Sequence, residues 1–165
     1  MALKIPLTGK YGHGKEALVD LEDYDKVSVH KWWLSKLSDG GYYVATWIQG
    51  KNVYLHRFIL GINWVDHRNN NTLDNTRENL RPCSKAENGA NKNKCVTYGG
   101  HVTASRYKGV YWSKGNQNWY AQIGISGKSK HLGTFETEVE AARAYNRAAV
   151  ERFGEFARLN VIRSE

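Results

Sequence analysis

The chain has 165 residues, enough for one domain or two small ones, and its 41% hydrophobic content excludes a disordered chain. A formal net charge of +8 favours a polyanionic partner. The two cysteines, Cys83 and Cys95, exclude a four-thiolate zinc site and fit a reducing compartment. No segment approaches the ~20 apolar residues of a membrane helix and the N-terminus carries no cleavage-site pattern, so the expectation is a soluble, cytoplasmic protein with no membrane partner.

Along the chain, Ala17-Leu18-Val19-Asp20 reads as a short strand, and Asp23 to Lys31 as a short helix with Val27 and Trp32 or Trp33 facing inward. Tyr42 to Ile48 and Asn52 to Leu55 flank Gln49-Gly50-Lys51 and predict a hairpin. Leu55 to Gly61 predicts a helical turn closed by its glycine. Trp64 to His67 predicts a strand, 68–72 a polar loop, and Leu80 to Cys83 a returning strand. Ser84 and Glu87 have capping-box spacing, so a helix is expected from about Lys85, with Asn88 on its first turns. The polar stretch 91–105 lacks apolar periodicity, which places a boundary there: one domain over 1–97, a linker over 98–104, and a second domain over 105–163.

After the linker the rhythm changes. Tyr107 to Ser113, Trp119 to Ile125 and Ser129 to Phe135 predict three short strands with turns at 114–117 and 126–128. Thr137 and Glu140 form a second capping-box pattern, and Ala141, Tyr145, Ala149 and Phe153 make one apolar helix face ended by Gly154. Alternation sends Trp119, Ala121, Ile123 and Ile125 towards that helix and leaves Tyr120, Gln122 and Gly124 on the open face. Between Tyr98 and Phe135 there are five cations, Arg106, Lys108, Lys114, Lys128 and Lys130, and no acid. A basic sheet carrying Tyr111, Tyr120 and His131 is a candidate nucleic-acid platform; the plainer alternative is a solvated sheet with incidental lysines.

The chemistry concentrates earlier. Adjacent Asp66 and His67, followed by Asn79 and Asn88, supply what one-metal phosphodiester hydrolysis needs: a proton acceptor for water, a carboxylate for a divalent cation, and an amide oxygen to complete its site. An isolated Asp–His pair is usually a surface turn, so the joint spacing carries the argument. Leu55-His56-Arg57, Val65-Asp66-His67, Leu73-Asp74-Asn75, Glu78-Asn79-Leu80-Arg81 and Ala86-Glu87-Asn88 together resemble the HNH endonucleases, most closely the homing type of phages and introns.

That resemblance implies a ββα-metal module. In it His67 is the general base, Asp66 and Asn88 bind one Mg²⁺ (or another divalent cation such as Mn²⁺), and Asn79 braces the loop that orients His67. Asn70-Asn71 stands where an Asn-Gly turn is more usual, and the structural zinc of some relatives is not expected. His56 and Arg57 are candidate phosphate contacts, with packing at least as good an account of His56.

Residues 105 to 160 resemble the plant ethylene-response-factor DNA-binding domain through Tyr107-Lys108-Gly109-Val110, Trp119-Tyr120-Ala121-Gln122-Ile123, Leu132-Gly133-Thr134-Phe135-Glu136-Thr137 and Ala157-Arg158-Leu159-Asn160. The resemblance implies a three-stranded antiparallel sheet packed on one α-helix and laid in the major groove. Its contact positions fall on Lys108, Tyr111, Ser113, Gln122, Gly124 and His131, with Arg106, Lys114, Lys128 and Lys130 as further DNA-binding candidates. Plant members place several arginines at the contact positions, so a plant-type GC-rich target is not expected here.

The expectation is therefore an α+β, two-module, metal-dependent endonuclease that recognises a site in double-stranded DNA, of homing or phage mobile-element type, with a monomer the preferred state. The rivals are a non-catalytic sequence-specific DNA-binding regulator on a degenerate nuclease fold, and an RNA-binding protein using the aromatic sheet.

Overall fold

A computed structural model describes residues 1–37, 40–92, 94, 97–98, 101–125 and 127–162. Cys95, Gly99-Gly100, Ser126 and Arg163, on which expectations above fall, lie outside the described residues. The protein is a mixed α+β chain that divides into two compact units, Met1–Ser84 and Lys85–Glu165. Among the described residues no helix is long and apolar enough to cross a membrane.

The first unit runs β1 (Ala2–Thr8), the single turn α1 (Gly9–Gly12), β2 (Glu16–Asp20), α2 (Leu21–Ser28), β3 (Trp32–Lys36), β4 (Tyr42–Ile48), β5 (Lys51–Tyr54), α3 (Leu55–Leu60), β6 (Val65–His67) and β7 (Leu80–Pro82). The first five strands form one sheet in the order β2-β1-β3-β4-β5, with β1 and β3 parallel and the other pairs antiparallel. Strand β1, which contains Pro6, was not among the elements expected from sequence. It fits because β3 joins β1 only at Leu7 and Thr8, beyond the missing N–H.

The helix expected over 23–31 stops earlier, at Ser28. The Val27 carbonyl accepts the His30 amide (3.2 Å) and the Trp32 indole N–H (2.9 Å), so the chain leaves the helix there and Trp32 opens β3 instead. The hairpin between β4 and β5 turns on Gln49 and Gly50, both at positive φ (51° and 75°). Gly61 closes α3 in the left-handed region, its N–H bonding the Arg57 carbonyl at 2.8 Å. Trp32, Val19, Val27, Val44, Leu55, Val65 and Leu80 make one core.

Strands β6 and β7 pair antiparallel, setting Asp66 opposite Arg81 and His67 opposite Leu80. The loop between them is stitched to the large sheet: Leu18 N–H donates to Leu73 O and Asn75 N–H to Leu18 O, each 2.8 Å. Arg77 adds a bidentate pair to Asp23 on α2, at 2.8 and 2.9 Å. Burial would raise the Asp23 carboxyl, but hydrogen bonds from Arg77 and Lys26 outweigh it and hold the group below the usual carboxylate range.

The second unit contains α4 (Lys85–Asn91), a ladder of β8 (Thr97–Tyr98) with β9 (His101–Val102), then β10 (Val110–Ser113), β11 (Asn118–Ile125), β12 (Lys128–Phe135) and α5 (Glu138–Phe153), followed by a 3-10 turn, Gly154–Phe156. The short ladder thus falls partly within the stretch read from sequence as a linker. Strands β10-β11-β12 form an antiparallel sheet, and α5 packs on it through Ala141, Tyr145 and Ala149. Thr137 caps α5 with both bonds of the capping box in place, each 3.2 Å. Helix α4 belongs to this unit because its C-terminal carbonyls find donors here: the Arg158 amide reaches Ala90 O at 3.2 Å, and Lys108 Nζ reaches Ala90 O and Lys92 O at 2.5 and 2.6 Å.

Candidate functional site

His67 ends β6 and is only 4% exposed. Its Nε2 lies 3.2 Å from Asn75 Oδ1, and since a carbonyl oxygen only accepts, Nε2 carries the proton and the neutral ring keeps its lone pair on Nδ1. Tyr43 stacks on the ring at 6.0 Å, and His56 meets it edge-on at 5.0 Å. Burial pushes the imidazole below its ordinary value, against smaller opposing effects from Asn75, Asp66 and Asp74, so the ring stays unprotonated near neutral pH.

Asp66, next to it, is buried and takes two bonds from Arg81, Nε at 2.9 Å and Nη2 at 2.8 Å, both on Oδ2. The Asn79 side chain is bonded within the loop: its Oδ1 accepts the Asn69 amide at 3.0 Å and its Nδ2 donates to Asp74 O at 2.7 Å. Asn70 supplies the turn's left-handed residue (φ 60°), a conformation asparagine tolerates better than most, and bonds the His67 carbonyl at 3.0 Å. Asn88 sits half-exposed on α4 in the second unit.

His56 is 2% exposed, stacked on Tyr54, with a buried Nδ1 that has no hydrogen-bond partner. Burial, then the neighbouring His67 and Arg57, push its pKa down to about 3. Arg57 lies over the Tyr54 ring at 5.1 Å. Asn75, fully buried, meets His67 Nε2 and was given no role in the sequence reading. It was visible within Leu73-Asp74-Asn75, but only the folded loop turns its amide to His67.

In the second unit Ala121 and Ile123 are buried, so alternation leaves Tyr120 and Gln122 on the open face, as expected. Tyr111 stacks on Tyr120 at 5.4 Å, and Tyr120 lies 6.0 Å from His131, which pairs with Gln122 across the strands. Gly124, Lys114, Lys128 and Lys130 are exposed, Ser113 is half-buried, and Arg106 is exposed over Tyr107. Trp119 packs against the helix-side core, while Trp112 meets it edge-on and stays 37% exposed. Lys108 differs from the other cations. Its ammonium points at the α4 carbonyls, and burial, followed by Arg158 and Lys92, pushes its pKa down to about 8.

Comparison with known proteins finds an HNH endonuclease of Acanthamoeba polyphaga mimivirus, itself described as uncharacterized, that is 36% identical over 160 residues, covering 92% of this chain and 78% of the relative. An AP2-like ethylene-responsive transcription factor of Arabidopsis thaliana is 41% identical over 59 residues, 36% of this chain and 12% of the factor. An APETALA2-like protein of Oryza sativa subsp. indica is 40% identical over 57 residues, 34% of this chain and 13% of that protein. The chain therefore spans only a small part of these plant proteins. No family model and no solved structure matches the chain.

Proposed function

Because the chain belongs to the HNH endonuclease family, we propose that it is a metal-dependent endonuclease that hydrolyses phosphodiester bonds in double-stranded DNA, with chemistry centred on His67 and duplex recognition on the second unit's sheet. The observation that carries this reading is the His67 imidazole: buried, held neutral, and fixed by Asn75 with its lone pair on Nδ1. Such a ring can take a proton from an attacking water without first losing one to solvent. Asn75 and the Asn79-braced loop hold it in one orientation, so no rotation is needed before proton transfer.

The donor set suits a hard divalent cation, Mg²⁺ or Mn²⁺. By the resemblance Asp66 would offer a carboxylate and Asn88 an amide oxygen, and oxygen donors suit such a cation. A cation at Asp66 would share that carboxylate with Arg81, whose Nη2 pairs with Oδ2 at 2.8 Å. When bound, the cation would neutralise charge on the scissile phosphate and on the leaving 3′ oxygen. The open face, with Gln122, His131 and the stacked tyrosines among exposed lysines, supplies groove and backbone contacts. The resemblance to homing-type enzymes makes a mobile-element role the biological setting.

Metal-dependent plasmid cleavage tests the reading. His67→Ala should lower the cleavage rate by about 10²–10⁴-fold with DNA affinity kept. Asp66→Ala and Asn88→Ala should raise the Mg²⁺ concentration for half-maximal cleavage or abolish activity. A wild-type protein that binds a DNA site but never cuts with any divalent cation is a DNA-binding regulator instead.

A further inference from the structure

One cavity of the second unit, of about 240 Å³, gathers Lys94, Arg106, Lys108 and Arg158, with no carboxylate among its lining residues. The Glu138 carboxylate accepts the Arg106 backbone N–H at 3.0 Å without lining the cavity. Four cations around one concavity repel each other, and repulsion from Arg158 and Lys92 adds to burial in making Lys108 give up its proton more readily.

Hydrogen bonds hold the Lys108 wall of the cavity in place. Asn160 Oδ1 accepts the Lys108 amide at 2.6 Å and its Nδ2 donates to the Lys108 carbonyl at 3.0 Å. The Asn160 backbone is bonded in both directions to the Asn146 side chain on α5, at 2.8 and 2.9 Å. The Lys108 ammonium is further held by the α4 carbonyls and cannot swing into solvent without giving up those bonds. Cations gathered around one concavity favour an anion there. Arg158 and Arg106 offer planar donor forks suited to tetrahedral oxyanions.

We infer that this pocket, bordered at Lys94 by the Tyr111 ring, is a phosphate-binding site that takes either a phosphodiester of a nucleic-acid backbone or a free phosphate. The choice of a nucleic-acid phosphate rests on the function proposed above; the site itself does not.

The full-length protein, ¹⁵N-labelled, tests it by NMR. Orthophosphate and then a short DNA duplex should each move the Asn160 side-chain amide and the Arg158 Nε–H. Arg158→Gln leaves its main-chain bond to Ala90 intact, so it should keep the fold and lose the orthophosphate response. It should bind every duplex about tenfold more weakly, with the slope of log affinity against log salt shallower by about 0.9, and Arg158→Lys should recover much of the loss. A response to orthophosphate alone assigns the site to free phosphate, and a response to duplex alone assigns it to a phosphodiester; both support it. If neither ligand moves these resonances, or if Arg158→Gln matches wild type in phosphate response, affinity and slope, the site is overturned. Wild-type protein that ignores duplex yet responds to orthophosphate overturns the proposed function and leaves the pocket standing.

Discussion

At the scale of single residues, two imidazoles in contact face opposite demands. Burial holds the His67 ring neutral, while Asn75 orients it by accepting a hydrogen bond from Nε2–H. Replacing Asn75 with Ala should lower cleavage by about 10–100-fold, since the ring loses its orienting acceptor while the lone pair remains. Cleavage by Asn75→Ala at the wild-type rate would remove Asn75 from the mechanism. His56 is buried so completely that its pKa falls to about 3. The native state therefore refuses a proton that the unfolded chain accepts below about 6.5, so stability is intact above that pH and falls as pH drops from 6.5 towards 3. The slope should reach about 1.4 kcal/mol per pH unit for this one group. Urea midpoints of wild type and His56→Phe at pH 7 and pH 4.5 check this: the variant should lose less on acidification, and parallel losses would assign the acid sensitivity elsewhere.

At the scale of elements, backbone geometry decides most. Gly109 sits at φ +73°, and a Cβ there would lie 2.1 Å from the Tyr145 ring and 2.6 Å from the Gln122 carbonyl. Gly109→Ala should therefore destabilise the second unit by about 3 kcal/mol, combining left-handed strain with overpacking. Thermal melts should show the loss, and a melting curve unchanged from wild type would mean that α5 yields more than its packing suggests. The elements readable from sequence were those with local signals. The turn at Gln49-Gly50, the Gly61 stop, the Thr137 capping box and the alternation of β11 all appear where expected. The ones missed, β1 with its proline and β3 starting at Trp32, depend on partners far along the chain. Pro6 is tolerated because of where β3 joins, and α2 ends because an indole reaches back to the Val27 carbonyl.

At the scale of the whole molecule, the C-terminal part separates its charges. The sheet carries Lys128 and Lys130 exposed, and the acids of the C-terminal part begin at Glu136. Duplex affinity should fall steeply with salt. Lys128→Ala should weaken all sequences alike, whereas Gln122→Ala should change preference at one base pair, by about 1–3 kcal/mol if the contact is bidentate. Binding measured against a panel of single-substituted duplexes separates the two, and an identical profile for both variants would take base reading away from Gln122. The amino-acid sequence alone determined residue types and their local periodicities: Asp66, His67, Asn79 and Asn88 in order, a basic strand-rich segment, and an amphipathic final helix. Side-chain partnership was settled only in three dimensions. Asn75 facing His67, Arg81 on Asp66, Lys108 turned to the Ala90 carbonyl of α4, and Asn160 on the Lys108 backbone each join residues distant along the chain or turned together by a folded loop. Local patterns report which face a residue takes, because backbone period is a short-range property. Which atom it finally touches follows from long-range packing, which no window of sequence contains.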